Sequence, residues 1–334
     1  MLATKTLAAI DAAFLEDGGA KFRGLLKQCI GELTDAFNTE EDSFRTHLGA
    51  STIGRPCARE LWYNFHWATK PSFPAATLRL FNRGHLEEAR FVAMLKMIGC
   101  EVWTHDTDGQ QLRMHSASKH YGGSLDCVVV GLPDLPEGVA ALGEFKTHSA
   151  KSFNNLVSEG VEKAKWEHWV QMCSYANSRH LEYCFYFAVC KDDDRLYAEV
   201  LPVDRSVAER YNQRALGIIE SPEPLDRIHT SRAWYQCKFC SHNDLCHDFR
   251  FPEVNCRTCA HSTALPDGNW GCERFEVNLP KEKQLAGCDY HLFNPTMLNG
   301  IEVLGADPDK HTMRYRLPDG REVDTALTPS AELK

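Results

Sequence analysis

Apolar positions recur at helical spacing at Leu7, Ile10 and Phe14, and again at Phe22, Leu25, Leu26, Cys29 and Leu33. Residues 1–45 therefore read as a helical region with a packing role. Ser51 or Thr52, with Pro56 close behind, marks a helix start within residues 51–67. An amphipathic helix is predicted over 81–98, its apolar face carried by Leu86, Phe91, Val92, Leu95 and Ile98. Three strand-like runs follow at 101–105, 111–115 and 124–130, and a fourth at 141–147 comes after a Pro/Gly loop. A helix at 161–178, a strongly β run at 181–190, a KDDD turn, a strand at 196–203 and a helix from Asp204 complete this part. The order predicts an α/β fold, a mixed sheet with helices packed on it. Beyond residue 230 long apolar runs disappear, and 301–327 reads as a small β meander turning at Asp319-Gly320.

Composition narrows the class. A chain of 334 residues with 43% hydrophobic and 25% charged residues has room for about two domains and an ordinary buried core. No stretch approaches the roughly 18 apolar residues of a membrane span. The apolar N-terminal run is broken by Asp11, Glu16 and Asp17, which reads as a helix and not a signal peptide. The expectation is a cytoplasmic protein without membrane contact. A net charge of −9 excludes nonspecific coating of nucleic acid by a basic surface. It leaves a DNA enzyme open, because metal ions and local basic patches offset the average. Fourteen cysteines without a secretion signal point to bound metal, since disulfides are rare in a reducing compartment.

The strongest chemical signal is Gly123-Ser124-Leu125-Asp126 on one strand and Glu144-Phe145-Lys146 on the next. Alternate residues of a strand share a face, so Glu144 and Lys146 project together while Phe145 enters the core. If the strands pair, Asp126 stands beside Glu144. Adjacent carboxylates repel unless a cation lies between them, and hard oxygen ligands suit Mg²⁺ or Mn²⁺. The plain alternative is a Glu144–Lys146 surface ion pair with Asp126 ending a strand. The flanking runs CVVV and ALGEF are apolar, however, and buried charges are costly unless paired or coordinated.

His85 lies upstream on a helix, and Gln171 and Tyr175 lie four apart on a later one. Taken in order with Asp126 and Glu144-x-Lys146, these elements resemble the RecB-like branch of the PD-(D/E)XK nuclease superfamily, over roughly residues 51–250. The resemblance implies a restriction-endonuclease-like mixed sheet and a metal-dependent deoxyribonuclease acting on single-stranded DNA or DNA ends, more as an exonuclease than a site-specific cutter. A role in phage or mobile-element recombination or in repair would fit, in a host cytoplasm if the protein is phage-encoded. By resemblance, Asp126, Glu144, His85 and the Phe145 carbonyl bind the catalytic metal, Lys146 orients the nucleophile, and Gln171 and Tyr175 position the site or the DNA backbone.

Cys237, Cys240 and Cys246 form C-x₂-C-x₅-C and are one ligand short of a tetrahedral set, with Cys57 the natural fourth. One cysteine before a RecB-like core and three after it resembles the iron–sulfur nucleases, the CRISPR-adaptation exonucleases and AddB-type subunits. That implies a [4Fe–4S] cluster joining the two ends of the domain, with structural Zn²⁺ as the alternative. Cys256, Cys259, Cys272 and Cys288 lie outside that resemblance. They read as a closed Cys₄ zinc site, with His261 as a substitute ligand. Cys29, Cys100, Cys127, Cys173, Cys184 and Cys190 sit in apolar runs as core residues.

Residues 51–90 hold Arg55, Arg59, Lys70, Arg79, Arg83 and Arg90 against Glu60, Glu87 and Glu88, an excess of three positive charges. Arg55, Arg59 and Arg83 are the candidate phosphate contacts, Lys151, Lys163 and Lys165 weaker ones. Trp62, Tyr63, Phe65 and Trp67 are assigned to packing. The organisation expected is a helical region at 1–50, a nuclease core at 51–250 and a cysteine-rich module with the meander at 251–334, through which a protein partner could bind. Competing readings are a non-catalytic DNA-end binding module and a zinc-ribbon adaptor.

Overall fold

The computed structural model describes residues 1–33, 35–39, 44–114, 116 and 118–333. Helices α1 (Thr4–Asp17) and α2 (Ala20–Cys29) are separated by Gly18 and Gly19, both at positive φ, where glycine bears no Cβ penalty. The helical expectation for 1–45 thus ends at Cys29, followed by short 3₁₀ turns, and its positions 34 and 40–43 lie outside the described residues. Strand β1 (Leu48–Gly49) leads into α3 (Ala58–Phe65). Ser51 and Thr52 form a turn instead of starting that helix, with Thr52 Oγ1 donating to the Gly49 carbonyl at 3.0 Å. Proline at 56 disfavours helical backbone at Arg55, so the helix begins only after it, with Cys57 as N-cap.

Helix α4 (Ala75–Met97) starts six residues before the expected position, directly after Pro74. Its first turns project, leaving Leu78, Leu80 and Phe81 exposed, so amphipathic spacing does not reveal them. Strands β2 (Glu101–Trp103), β3 (Tyr121–Gly122), β4 (Cys127–Val130) and β5 (Ala140–His148) follow. The run at 111–115 makes only isolated bridges, His105 with Gln111 and Arg113 with Ser124, and position 115 lies outside the described residues. The strand expected from 124 begins at Cys127, because the Phe145 N–H donates to the Asp126 side chain (Oδ2, 2.7 Å).

The single helix expected at 161–178 is two: α5 (Ala150–Ala164), capped by Ser149, and α6 (Trp166–Ser178). Lys165 between them is non-helical, and Gly160 kinks α5 at φ 75°. Strands β6 (Tyr183–Cys190) and β7 (Leu196–Pro202), then α7 (Arg205–Glu220) capped by Asp204, agree with the pattern. Short helices α8 (Tyr235–Lys238) and α9 (Asn243–His247) precede β8 (Ser262–Ala264), β9 (Trp270–Cys272), β10 (Val277–Leu279) and α10 (Lys281–Ala286). The meander is β11 (Glu302–Asp307), β12 (Thr312–Arg316) and β13 (Glu322–Asp324), with Gly320 at φ 87° between the last two.

The central sheet has the order β2-β4-β5-β6-β7, with β5 and β6 parallel and the other neighbours antiparallel. It is a mixed sheet flanked by helices. On one face Ile10, Phe22, Phe91 and Leu95 pack on Val129, Phe145, Phe185 and Phe187. On the other, Trp62, Phe153, Trp169, Tyr175 and Tyr211 cover Leu142 and Tyr186. The N-terminal helices belong to the first layer, and Trp270, Leu279 and Met297 join the second. Trp62, Tyr63, Phe65, Trp67 and the six core cysteines are buried, as expected. Among the described residues no helix is long and apolar enough to cross a membrane.

In the β4–β5 ladder Cys127 opposes Gly143, where a Cβ would overlap the Cys127 sulfur. Gly143→Ala is expected to cost about 1–3 kcal/mol of stability by overpacking. In chemical denaturation the Gly143→Ala/Cys127→Ala pair should cost less than the sum of its single changes.

Candidate active site

The antiparallel register that pairs Cys127 with Gly143 sets Asp126 across from Glu144 at the end of the ladder. Asp126 is anchored by the Phe145 N–H. Glu144 is wholly buried, and its Oε1 accepts from Lys146 Nζ. Lys146 Nζ also donates to the Phe145 carbonyl at 3.1 Å and lies 4.0 Å from Asp126 Oδ2. Glu144, Lys146 and His148 share one face of β5, while Phe145 stacks on Phe91 of α4 at 5.0 Å on the other. The four groups assigned from the strands, Asp126, Glu144, the Phe145 backbone and Lys146, therefore meet.

Burial pushes the Glu144 carboxyl up to about 8, opposed by Lys146 and reinforced by Asp126. Burial alone would lower Lys146, but the Glu144 and Asp126 carboxylates outweigh it and hold the ammonium above its ordinary range. Glu144 Oε2 is buried without a hydrogen-bond partner. An orphaned carboxylate oxygen of this kind is costly unless a cation meets it.

The spacing argument missed Glu88. It projects from α4 and is raised by burial, lowered by its hydrogen bond to His85, and raised again by Asp126. His85 Nδ1 lies 3.5 Å from Glu88 Oε1, so the histidine stands against the third carboxylate. The available signal was the helical step from His85 to Glu88, which places both on one face. Three acidic groups thus face one ammonium; fully ionised they would carry an excess of two negative charges, which a single divalent cation would offset. Asp126, Glu144 and Glu88 carry oxygen donors of the chemical type that suits Mg²⁺ or Mn²⁺, though among the described residues they are not drawn together around one ion position.

Tyr175 explains the glycine of the G-x-x-D run. A Cβ at Gly123 would overlap the Tyr175 hydroxyl, so the bare backbone makes room for the phenol. Burial raises Tyr175, and the Glu144 and Asp126 charges add to it. Gln171, also buried, sits one turn earlier on α6.

Cys57, Cys237, Cys240 and Cys246 line one cavity of about 270 Å³. Cys57 Sγ accepts the Glu60 N–H and Cys240 Sγ the His242 N–H, each at 3.4 Å. Cys256, Cys259, Cys272 and Cys288 line a second of about 20 Å³, together with His261 and His291. His261 Nε2 and His291 Nδ1 are buried there without partners. Burial, reinforced by the other three thiols, pushes Cys256 up to about 12. Among the described residues no three His, Cys, Asp or Glu side chains are already drawn together around one ion position.

The candidate phosphate contacts lie elsewhere. Arg55 pairs with Glu60 at 2.6 Å, Arg59 donates to the Leu225 carbonyl at 2.8 Å, and Arg83 donates to the Lys191 carbonyl at 2.8 Å. Arg55 and Arg59 line the larger cysteine cavity.

Gly123→Ala should lower the melting temperature, and adding Tyr175→Phe should recover part of that loss in a thermal double-mutant cycle, because the overlapping atom is the hydroxyl oxygen. Neither a family model nor a curated protein matches the chain. Among solved structures it is similar to LHK-Exo in complex with dAMP, at 15% identity over 52% of this chain and 86% of that one, with a TM-score of 0.37. It is similar to the alkaline exonuclease LHK-Exo from Laribacter hongkongensis at 14% identity, 57% and 90% coverage and a TM-score of 0.36. For SSO0001 the figures are 14%, 66%, 93% and 0.33.

Proposed function

We propose that the chain is a divalent-metal-dependent DNA nuclease that hydrolyses phosphodiester bonds, working as an exonuclease on single-stranded DNA or DNA ends. The observation that carries this reading is the buried Glu144, its second oxygen unpartnered, facing Asp126 and Glu88 with one lysine among them. When bound, a Mg²⁺ or Mn²⁺ ion would lower the pKa of water and offset charge on the phosphate. Asp126, Glu144 and Glu88 would hold it, with the Phe145 carbonyl within reach and His85 orienting Glu88. Lys146 has three N–H donors, of which two are spent on Glu144 and Phe145. The third is left for a phosphate oxygen or the attacking water. Tyr175 buttresses Gly123 from α6, and Gln171 one turn earlier on that helix would help to position the site or the DNA backbone.

The cysteine sets complete the proposal. The larger cavity would take a [4Fe–4S] cluster on Cys57, Cys237, Cys240 and Cys246. The smaller would take Zn²⁺ on Cys256, Cys259, Cys272 and Cys288. The first would tie Cys57 to a segment distant in sequence, where a cross-link removes the most loop-closure entropy; the second would close residues 256–288 on themselves.

End-labelled single- and double-stranded DNA incubated with Mn²⁺ should be shortened by the wild-type protein. Lys146→Ala and Glu144→Gln should reduce the rate by at least about 100-fold, with DNA binding kept. Binding without cleavage by the wild type would instead favour a DNA-end binding module. Protein purified without oxygen should be brown and contain iron and acid-labile sulfide, and Cys57→Ala should bleach it as fully as Cys237→Ala. A colourless preparation holding only zinc would refute the cluster.

A further inference from the structure

Beside Lys146 runs a second buried polar chain that the proposed hydrolysis does not use. Lys165 Nζ donates to Ser152 Oγ at 2.6 Å, and Ser152 Oγ lies 3.1 Å from His148 Nδ1. His148 Nε2 lies 2.8 Å from the Tyr186 hydroxyl, which lies 2.9 Å from His168 Nδ1. Tyr186 is the direct neighbour of Glu144 across the β5–β6 pair.

One direction of donation runs consistently along the chain. An ammonium only donates, so the Ser152 oxygen accepts from Lys165, and the neighbouring positive charge polarises the serine O–H and favours its donation to His148 Nδ1. His148 Nε2 therefore carries the proton and donates to Tyr186. The phenol then gives its single proton to His168 Nδ1, and His168 Nε2–H is left as a donor with no partner among the described residues. Both imidazoles must be neutral for this, and burial does lower His148 to about 4 and His168 to about 2, with the Lys146 charge adding to the effect in each. The chain thus ends in donors on both sides: the unused N–H groups of Lys165 and the Nε2–H of His168.

No carboxylate among the described residues pairs with half-buried Lys165, whose ammonium burial disfavours. Unspent donors beside an unmatched ammonium in an acidic protein call for an oxyanion.

We infer that Lys165 and His168 form a phosphate-binding subsite, adjoining Lys146, that takes a second phosphate of the same nucleic-acid strand. The identity of the strand rests on the nuclease reading; the affinity for a phosphate oxyanion does not.

The test uses the full chain in EDTA, so that no cleavage occurs. Inorganic phosphate titrated into the protein should shift the imidazole resonances of His148 and His168. Lys165→Met should weaken that binding at least 10-fold, and Lys165→Arg should restore it. Fluorescent oligodeoxynucleotides with hydroxyl or phosphorylated ends then separate the sources. Tighter binding of the phosphorylated end, lost in Lys165→Met, assigns a terminal phosphomonoester. Equal binding of both, with an equal loss in Lys165→Met, assigns an internal diester. Unchanged imidazole resonances in phosphate, or unchanged affinity for all three probes in a folded Lys165→Met protein, would overturn the subsite. Phosphate binding alongside an absence of any cleavage with Mn²⁺ would sink only the nuclease reading.

Discussion

A carboxylate with no solvent exposure, Glu144, sits in the middle of the sheet, and much of the structure is arranged around keeping it there. Burial in low dielectric makes a lone charge very expensive, so partners are obligatory. Lys146 supplies one from the same strand face. The register of β4 on β5 brings Asp126 beside the pair, and that register depends on Gly143 being bare enough to admit the Cys127 sulfur. On the opposite face, Phe145 stacking on Phe91 fixes α4, which carries Glu88 to the same point. Two strands and a helix are thus locked by apolar packing so that acids which repel one another stay close.

The C-terminal third is held to this core by a buried cation. The Arg257 guanidinium lies 3.7 Å over the Trp67 ring and donates to the Phe65 and Thr46 carbonyls at 3.0 and 2.9 Å. Burial lowers it to about 9, so it is a cation stabilised by ring faces and carbonyls in place of a carboxylate. Arg257 falls between Cys256 and Cys259, and His120 Nε2–H donates across to the Leu265 carbonyl at 2.8 Å. The thiol module is therefore continuous with β1 and β3, and β3 leads directly into the Gly123–Asp126 segment.

Apart from Lys146, which sits among the acids, a second set of polar groups is kept away from them. Lys165 and the His148–Tyr186–His168 chain occupy the α5–α6 side, on the same sheet face as Lys146 but beyond it. On the proposed reading, the acidic pole would take a cation and the second pole an anion, within a few residues of one strand. Formal net charge shows none of this, since it averages both poles into −9.

Local pattern was enough for what depends on one strand or one helix turn. Alternation placed Glu144 and Lys146 together and Phe145 inward; four-residue spacing put Gln171 and Tyr175 on one face; cysteine spacing grouped the thiols that line each cavity. Element ends were misread where a neighbour competes for the backbone: β4 starts late because the Asp126 carboxylate takes the Phe145 N–H, and Pro56 delays α3. Glu88, the partnering of Arg59 and Arg83, and the donor chain from Lys165 to His168 were invisible in the sequence, because each depends on which side chains from distant elements meet. Such meetings are decided by sheet order and helix packing, and a linear pattern carries only the period of each element, not its neighbours.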